Sequence, residues 1–391
     1  MIAATLDLER AASQTWDVAV VGAGPAGALT AHQAARAGAS VLLVERRAFP
    51  RPKVCGACLN GRALAALDAA GLGTVCEHEG ALPLDRFEVA MRGRRAVLPL
   101  PGGKALDRAT LDAALSREAI ASGVDFLPET RARLVSCETA SSQRTLKLES
   151  HGHSAQVSAR VVVIAAGLAS GLVDDEPGLS TWVSPSARIG AGCQVAEAPE
   201  GYTPGAILMA VAEGGYVGLV HIASGWNVAA AFDRDFVRSQ GGPGEAAVEV
   251  IRSAGFPAFL ALADADWSGT VALTRTTRPV ASHRLFLIGD AAGYVEPFTG
   301  EGMGWAFASA LAAGPLAAQG ARDWSPQVAG RWIQEYNRLV GRRAAICRGL
   351  AYLSRRPLAA RVALTAASWL PGVTAPLIRR LNAPPALVEV R

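Results

Sequence analysis

The sequence is poor in charged residues and lacks the patterns that mark secreted, membrane-spanning or nucleic-acid-binding proteins. Asp, Glu, Lys and Arg make up only 18% of the 391 residues, and the formal net charge is +4. This composition fits neither a disordered chain nor a nucleic-acid-binding surface, so we expect no nucleic-acid partner. No uninterrupted apolar run reaches the roughly 18 residues of a spanning helix. The first residues also lack the basic segment and apolar core of a secretory signal.

Cysteine is too sparse and scattered to indicate a disulfide framework or a structural zinc site. Of the six cysteines, only Cys55 and Cys58 lie close together in sequence. No second C-x-x-C completes a four-ligand set, so we expect no bound metal. Without an export signal, reduced thiols and a cytoplasmic location are the expectation. Half of the residues are hydrophobic, which is enough for a large core or for two joined domains.

The run from residue 16 to residue 47 predicts a complete β-α-β unit. Val18–Val21 and Val41–Val44 are short apolar runs typical of buried strands, and the small residues between them are typical of a helix. Three glycines at the junction of the first strand and this helix form the pattern G-x-G-x-x-G, namely Gly22, Gly24 and Gly27. The strands, the helix and the glycines stand at the distances that a dinucleotide-binding unit requires.

Each part of this unit has a physical role in binding a dinucleotide. The first glycine permits a tight turn, the second lets the backbone approach a pyrophosphate, and the third lets the helix pack on the strand. Unpaired amides at the start of the helix, around Pro25 and Ala26, bind phosphates. Glu45 ends the second strand, where a carboxylate accepts hydrogen bonds from a ribose, and Arg46 follows it in the predicted site. The alternative is a glycine-rich turn that binds no ligand.

The remaining pattern predicts three regions. Buried strands and helices of an α/β domain are predicted over residues 15–85, 101–175 and 280–328. Short alternating runs separated by glycines occupy residues 86–100 and 176–279, which predicts an inserted antiparallel sheet on the substrate side. Residues 329–391 are basic and helical. Peripheral membrane contact by an amphipathic face is one interpretation of this region, but its prolines favour a helical cap with solvated arginines.

Three separated motifs occur together in a fixed order. They are G-x-G-x-x-G with Glu45, then Asp107-Arg108-x-x-Leu111, then Gly289-Asp290 with the continuation Pro297-x-Thr299-Gly300-Glu301-Gly302. In this combination the chain resembles the FAD-dependent oxidoreductases that include p-hydroxybenzoate-hydroxylase-like monooxygenases, geranylgeranyl reductases and flavin-dependent halogenases. The resemblance covers nearly the whole chain. It implies an α/β fold, with a Rossmann-type FAD-binding domain, an inserted antiparallel substrate-binding sheet and C-terminal helices.

The resemblance also implies roles for individual residues toward FAD. The glycines bind the pyrophosphate, Glu45 the adenosine ribose, Arg108 the pyrophosphate or ribityl chain, and Asp290 a ribityl hydroxyl. The turn that contains Pro297, Thr299, Gly300, Glu301 and Gly302 places amides and a helix N-terminus at the flavin pyrimidine edge. Reduced flavin is negatively charged there, and such amides stabilise the charge. No second G-x-G-x-x-G exists, so NADPH or NADH is expected to bind only transiently as electron donor.

Two residues are candidates for catalysis. The stretch Lys53-Val54-Cys55-Gly56 resembles the cysteine-glycine turn that geranylgeranyl reductases place beside the flavin ring. Cys55 is therefore a candidate active-site and cofactor-contacting residue, with packing as the alternative and a redox disulfide with Cys58 as a weaker one. His221 lies in a predicted strand of the substrate sheet and is a candidate base. A hydrogen-bonded structural histidine is the alternative at that position.

No subfamily is matched in all of its motifs. Ala166 stands where hydroxylases carry an aspartate, the W-x-W-x-I-P pattern of halogenases is missing, and residues 215–220 match the Y-x-W-x-F-P strand of geranylgeranyl reductases only in part. Our preferred interpretation is an NAD(P)H-dependent monooxygenase that uses O₂ to hydroxylate or epoxidise a hydrophobic aromatic or polyketide-like molecule. The alternatives are reduction of C=C bonds in an isoprenoid or lipid, halogenation, or non-catalytic flavin binding.

Overall fold

The computed structural model describes residues 1–135, 141–168, 171–296 and 300–355, together with residue 383. The helices of this part of the chain are α1 (Leu8–Ala12), α2 (Pro25–Arg36), α3 (Gly61–Ala69), α4 (Val75–His78), α5 (Arg108–Ala121), α6 (Arg234–Gln240), α7 (Pro243–Ala254), α8 (Gly302–Arg322), α9 (Pro326–Tyr336) and α10 (Arg342–Ser354). Its strands are β1 (Thr15–Val21), β2 (Val41–Val44), β3 (Cys58–Asn60), β4 (Leu82–Met91), β5 (Arg94–Ala105), β6 (Asp125–Leu127), β7 (Arg131–Leu134), β8 (Arg144–Ser150), β9 (His153–Ile164), β10 (Ser180–Val183), β11 (Ile189–Val195), β12 (Ala206–Ala212), β13 (Gly215–Ile222), β14 (Gly225–Phe232), β15 (Ser268–Ala272), β16 (Arg275–Arg278), β17 (Ala281–Ser282), β18 (Leu285–Leu287) and β19 (Gly293–Tyr294).

The first sheet is the parallel sheet that the sequence predicts. Its order is β17-β18-β9-β1-β2-β6, and the antiparallel strands β8 and β7 extend it from β9. Strands β18, β9, β1, β2 and β6 run parallel to one another, whereas β17 pairs antiparallel with β18. Every residue of β2 is buried, as the continuous apolar run VLLV predicts for a strand that is covered on both faces. Helix α2 packs against both α5 and α8 beside this sheet.

The second sheet has the order β15-β11-β14-β13-β12-β4-β5-β3. Its pairs are antiparallel except for β12 and β4, which run parallel to each other. The predicted hairpin is present but longer than residues 86–100, because β4 and β5 extend from Leu82 to Ala105 around a turn at Arg92 and Gly93. The short strand β3 joins this sheet although its sequence neighbours belong with the first sheet. The division of the chain into domains remains a prediction.

The two faces of the second sheet pack against different partners. Along β12, Ala206, Leu208 and Ala210 lie in one buried cluster with residues of α7. The alternate residues of the same strand, Ile207, Met209 and Val211, instead line a cavity between the two large sheets. This period of two follows from strand geometry, in which successive side chains point to opposite faces.

A third sheet of three strands, β10-β16-β19, was not predicted. After it the chain enters α8, α9, a π-helical turn (Asn337–Gly341) and α10. These helices agree with the predicted helical start of residues 329–391, while residues 356–382 and 384–391 lie outside the described residues. In the described part of the chain, no helix combines the length and the apolar character needed to cross a membrane.

Candidate active site

The carboxyl ends of four neighbouring parallel strands meet at one edge of the first sheet. Gly22 follows β1, Glu45 follows β2, Ala165 follows β9, and the 3₁₀ turn Gly289–Ala291 begins shortly after β18. Ligands of doubly wound sheets bind at this edge. A cavity of about 1320 Å³ opens here and continues along the second sheet. It is larger than the roughly 300–1000 Å³ of common small-molecule pockets, so it has room for a cofactor and a substrate together.

The glycine turn forms a close-packed cradle at one end of this cavity. Gly22 adopts φ +103°, and a Cβ built there would lie 2.6 Å from the carbonyl oxygen of Ala165. A Cβ at Gly27 would lie 1.8 Å from the carbonyl oxygen of Gly22. Gly24 differs, because its Cβ would meet only the guanidinium groups of Arg108 and Arg51, at 3.6 and 3.7 Å. Gly22 and Gly27 therefore allow close packing of the backbone. Gly24 leaves space open in front of the guanidinium groups of Arg51 and Arg108.

The N-terminus of α2 faces this open space. Gly24 is the N-cap of α2 and supplies no side-chain hydrogen bond, so the first amides of the helix have no capping partner. Pro25 and Ala26 line the cavity. A helix N-terminus of this kind binds anions through its amides and its dipole. The predicted pyrophosphate contacts of the glycine turn thus have the geometry that they require.

Glu45 is buried and has several partners at the end of β2. Its Oε2 accepts hydrogen bonds from the backbone N–H of Ala23 at 3.0 Å and from Arg51 at 3.2 Å. Its Oε1 accepts the backbone N–H of Arg47 at 3.1 Å. These bonds fix the carboxylate at the cavity wall, and a carboxylate retains acceptor sites beyond three such bonds for a ribose hydroxyl. The exposed Arg46 lines the cavity beside it.

A buried network of ion pairs supports the glycine turn, and only Glu45 and Arg108 of its four members could be predicted from the sequence. Arg108 donates two hydrogen bonds of 2.8 Å to Asp112, one turn further along α5. Arg51 Nη2 lies 3.5 Å from the same carboxylate. Burial by itself lowers the pKa of Arg108, but Asp112 together with Cys55 and Asp290 raises it above its ordinary value, so this side chain stays cationic. The signal that could have revealed Asp112 is its i,i+4 spacing from Arg108 on a predicted helix.

One donor of this network has no partner in the described structure. Arg51 is 8% exposed, and its buried Nε makes no hydrogen bond to any described residue. A buried unpaired donor is costly unless a ligand satisfies it. A pyrophosphate oxygen would do so, because guanidinium groups bind phosphates with charge-assisted hydrogen bonds. The residues around Gly24 therefore fit the diphosphate of a dinucleotide.

Asp290 and Lys53 lie together on another wall of the cavity. Asp290 is in the 3₁₀ turn after β18, and its Oδ2 lies 4.0 Å from Lys53 Nζ. Burial lowers the pKa of Lys53, while Asp290 acts in the opposite direction. In the sequence, Lys53 is notable only as part of the cysteine motif, whereas the structure places its ammonium group in the cavity. Asp290 is accessible from the cavity, as its predicted contact with a ribityl hydroxyl requires.

The N-terminus of α8 forms a further wall. Gly300, Gly302 and Met303 line the cavity, and the N-cap residue Glu301 makes no side-chain capping bond. The first amides of this 21-residue helix are therefore free to stabilise negative charge in the cavity. The side chain of Glu301 is buried and bonds to Trp305 and Asn60. Pro297 and Thr299, the other predicted members of this turn, lie outside the described residues.

The cysteine turn joins the cavity to the second sheet. Cys55 lines the cavity, and its carbonyl oxygen accepts a hydrogen bond of 2.9 Å from Asn227 on β14. Cys58 donates its thiol hydrogen to the carbonyl oxygen of Gly56 at 2.9 Å. Both thiols are free, and burial raises the pKa of Cys58 far above its ordinary value. A thiol held in the neutral form is a poor nucleophile, so this geometry does not support a redox disulfide.

The structure does not bring His221 together with the other predicted site residues. His221 does not line the cavity, although its neighbour Val220 does. Its ring instead contacts Trp226, with the ring centroids 5.3 Å apart. The alternation of β13 explains this placement, because adjacent residues of a strand point to opposite faces. The geometry gives no support to a role as base, and we do not carry that hypothesis further.

The substrate half of the cavity is a nearly continuous apolar surface. It is formed by alternate residues of four adjacent strands of the second sheet, namely Phe87, Val89, Met91, Leu98, Leu100, Ile207, Met209, Val211 and Val220. Gly218 opens a depression in this surface, since a Cβ there would touch the end of Met209 at 3.3 Å. Such a surface favours an apolar ligand through the area that binding removes from water.

A comparison with known families concerns the first half of the chain. Residues 15–188, which include the glycine turn, Glu45, Cys55 and Arg108, match the family model for the FAD binding domain. The chain therefore contains an FAD binding domain. The glycine turn, the carboxylate and the two helix N-termini fit a dinucleotide such as FAD, and bound FAD would supply hydride and electron transfer.

Relatives of the chain include a menaquinone reductase and digeranylgeranylglycerophospholipid reductases. The menaquinone reductase of Mycobacterium tuberculosis is 36% identical over 166 residues, which cover 40% of this chain and 38% of that protein. The match therefore spans less than half of the length of that relative. Digeranylgeranylglycerophospholipid reductase 2 of Methanopyrus kandleri is 26% identical over 356 residues, which cover 83% of each chain.

Solved structures confirm the fold. The flavin-dependent brominase Bmp2 superposes with a TM-score of 0.77 at 18% identity, covering 94% of both chains. At this identity the likeness concerns the architecture alone. It confirms that the first sheet, the second sheet and the following helices form one known arrangement.

Proposed function

We propose that this protein is an oxidoreductase that uses bound FAD to reduce C=C bonds in a long hydrophobic molecule of the isoprenoid or lipid type. The observation that carries the proposal is the apolar surface of four strands that continues directly from the flavin motifs. A hydrocarbon chain gains about 25 cal/mol for each Å² buried there, and it needs no polar partner to be held. The prenyl reductases among the sequence relatives support the same substrate class.

Reduction of a C=C bond adds a hydride to one carbon and a proton to the other. The hydride comes from reduced FAD, and the protein must supply the proton and exclude water. Cys55 and Tyr294 line the cavity near the flavin motifs and carry exchangeable hydrogens. Burial raises the pKa of Tyr294 well above its ordinary value, which keeps its phenol protonated. NADPH or NADH is the proposed transient donor that returns the flavin to its reduced form.

A second candidate is the NAD(P)H-dependent monooxygenase preferred from the sequence, and Lys53 is the observation that favours it. Its ammonium group lies in the cavity beside Asp290 and near the strand end at Gly167, whose added Cβ would lie 3.1 Å from Nζ. A cation inside an apolar cavity stabilises negative charge that develops when O₂ is reduced. The substrate would again be a hydrophobic small molecule, because the same apolar surface would hold it.

One experiment separates the two candidates. The purified yellow protein is reduced anaerobically with NADPH and then mixed in a stopped-flow instrument either with a polyprenyl alkene or with air-saturated buffer. We expect the alkene alone to reoxidise the flavin, with mass spectrometry showing a product that gains two hydrogen atoms. No reoxidation by the alkene, together with an O₂-dependent transient absorbance and an oxygenated product, would reject the reductase. Dependence of that product on halide would indicate halogenation instead.

A further inference from the structure

Two buried glutamates stand on either side of residues 297–300, which we call the flavin turn. Glu296 precedes and Glu301 follows residues 297–300, and each of the two side chains is 1% exposed. Gly302, directly after Glu301, begins α8 and lines the cavity. A buried carboxylate is stable only when it is paired and hydrogen-bonded. The partners of these two glutamates therefore determine how firmly the N-terminus of α8 is held.

The partners of Glu301 come from three elements. Its Oε1 accepts a hydrogen bond of 3.2 Å from Asn60, which is the N-cap of α3. Its Oε2 accepts one of 3.0 Å from Trp305 on α8 and one of 3.4 Å from Arg343 on α10. Arg343 is the cation among these three donors, and it lies in the first turn of α10. The carboxylate at the start of α8 is thus ion-paired with the start of α10.

The partners of Glu296 form a closed group of two acids and two bases. Its Oε1 accepts a hydrogen bond of 2.9 Å from Arg188, and its Oε2 accepts one of 2.8 Å from Arg355. Asp233 completes the group, with Arg188 at 3.4 Å and Arg355 at 3.6 Å. Arg355 directly follows the last residue of α10. The carboxylate before the turn is thus ion-paired with the end of α10.

Both ends of the flavin turn are therefore ion-paired to one helix. Arg343 and Arg355 are 12 positions apart, which corresponds to about 18 Å along a helix axis. We propose that α10 is a strap that positions the N-terminus of α8, with Arg343 and Arg355 as positioning residues. The inference rests on FAD binding at this site and not on the reaction that the enzyme catalyses. Neither arginine touches the reacting atoms in this role.

The strap affects the cofactor through the electrostatics of α8. The N-terminal amides of α8 stabilise negative charge in the cavity only if they remain aimed at it. Loss of either arginine leaves a buried carboxylate with less compensation, so the carboxylate moves toward water and the N-terminus of α8 is displaced. A reduced, anionic flavin then loses more stabilisation than an oxidised one. The reduction potential of bound FAD therefore becomes more negative.

The test uses the full-length holoenzyme with Arg343→Gln and Arg355→Gln as variants and Arg342→Gln as the matched control. Arg342 is an exposed neighbour on the same helix, so its replacement removes the same charge without touching either glutamate. Two readouts are measured, namely the reduction potential of bound FAD and the amide hydrogen exchange of residues 300–307. We expect exchange in this peptide to rise on the order of tenfold in both variants and the potential to fall. The control should match the wild type.

Other outcomes would contradict the proposal that α10 positions the N-terminus of α8. Unchanged exchange of residues 300–307 in Arg343→Gln and Arg355→Gln rejects it, and so does an equal change in Arg342→Gln. If the glutamine variants fold too poorly, Arg343→Lys and Arg355→Lys replace them, since lysine keeps the charge but loses the planar guanidinium contacts. Exchange in the peptide must then still exceed that of Arg342→Lys. Neither readout uses a substrate, so failure of the proposed C=C reduction leaves this test unaffected.

Discussion

At the scale of single residues, the cavity combines a few charged groups with apolar walls, and each charged group has a distinct position relative to the cofactor. Arg51 and Arg108 lie at the glycine turn, while Asp290 and Lys53 lie on another wall. A charged group in an apolar cavity costs free energy unless a ligand or a partner compensates its charge. Substitution of one such group therefore tests an individual contact with FAD.

Asp290→Ala should weaken FAD binding. The substitution removes a carboxylate that faces the cavity and that we expect to accept a hydrogen bond from a ribityl hydroxyl. A charge-assisted bond contributes about 1.5–3 kcal/mol, so the dissociation constant should rise about tenfold to a hundredfold. Titration of apoprotein with FAD, followed by flavin fluorescence, measures the change. Asp235→Ala, at an exposed aspartate on α6, is the control, and full retention of FAD in Asp290→Ala would reject the contact.

Cys55→Ser should alter the absorbance spectrum of bound FAD or the turnover rate, because we place this side chain beside the flavin ring. Cys58→Ser is the matched control from the same turn. The Cys58 thiol donates to the carbonyl of Gly56, and a serine hydroxyl can make the same bond. Spectra and steady-state rates of both variants decide the matter. If the spectrum and the turnover rate of Cys55→Ser equal those of the wild type, the packing role of Cys55 is supported instead.

Sequence reasoning succeeded for residues whose role is local and failed for those whose role depends on distant segments. Gly27 lets the helix pack on the strand, as its position in the glycine pattern predicts, because an added Cβ there would lie 1.8 Å from the carbonyl oxygen of Gly22. Arg51 gave no such signal, since its function depends on Glu45 and Asp112 being brought to it by folding. Arg188 and Glu296 likewise form a buried pair across 108 positions of sequence. The local sequence pattern carries no information about pairs of residues that are so far apart in sequence.

At the scale of elements, the glycine turn allows a sharp contrast between two substitutions. Gly24→Ala should fold normally but lose FAD, because its Cβ is compatible with the local backbone and occupies space in front of Arg51 and Arg108. Gly27→Ala should lower the melting temperature markedly, since its Cβ would lie 1.8 Å from a carbonyl oxygen. Thermal unfolding and FAD titration of both variants separate the two effects. Loss of FAD without loss of stability in Gly27→Ala would contradict this assignment.

A second prediction at this scale concerns Gly218 on β13, where the apolar surface has a depression. Gly218→Val should fill the apolar surface while leaving the FAD cradle intact, so the KM for a long hydrophobic substrate should rise several-fold and the FAD affinity should not change. Its Cβ meets the flexible end of Met209 at 3.3 Å, which can move aside. Val97→Thr is the control, because Val97 is 54% exposed on β5, away from the cavity. An unchanged KM would place the substrate elsewhere.

The elements themselves were predicted to different degrees. Strands with strict alternation or continuous apolar runs, such as β2 and β12, were found with bounds close to the observed ones. The parallel pairing of β12 with β4 was not foreseen, because it joins Ala206 to Arg86 and no local pattern records which distant strand is the neighbour. The same reason explains why β3 was assigned with its sequence neighbours and not with the second sheet.

At the scale of the whole molecule, the cavity lies between the two large sheets, so FAD should bind only the folded chain. Saturating FAD should therefore raise the melting temperature, with a stabilisation of about 2.7 kcal/mol when free FAD is a hundred times its dissociation constant. Differential scanning fluorimetry of the apoprotein with increasing FAD measures this. Gly24→Ala, which folds but lacks the cradle, should show no increase. A melting temperature independent of FAD in the wild type would contradict a cofactor bound between the sheets.

The interleaving of the two sheets also has a consequence for how the cell makes this protein. The first sheet is completed only by β18, and the second only by β15, although both begin within the first hundred residues. Ribosomes add about 5–20 residues per second, so roughly 12 to 50 s separate the emergence of Glu45 from that of Asp290. During this time the nascent chain displays apolar strands that have no partner. In a heterologous host, the yield of yellow protein should therefore depend on chaperone supply more than on riboflavin supply.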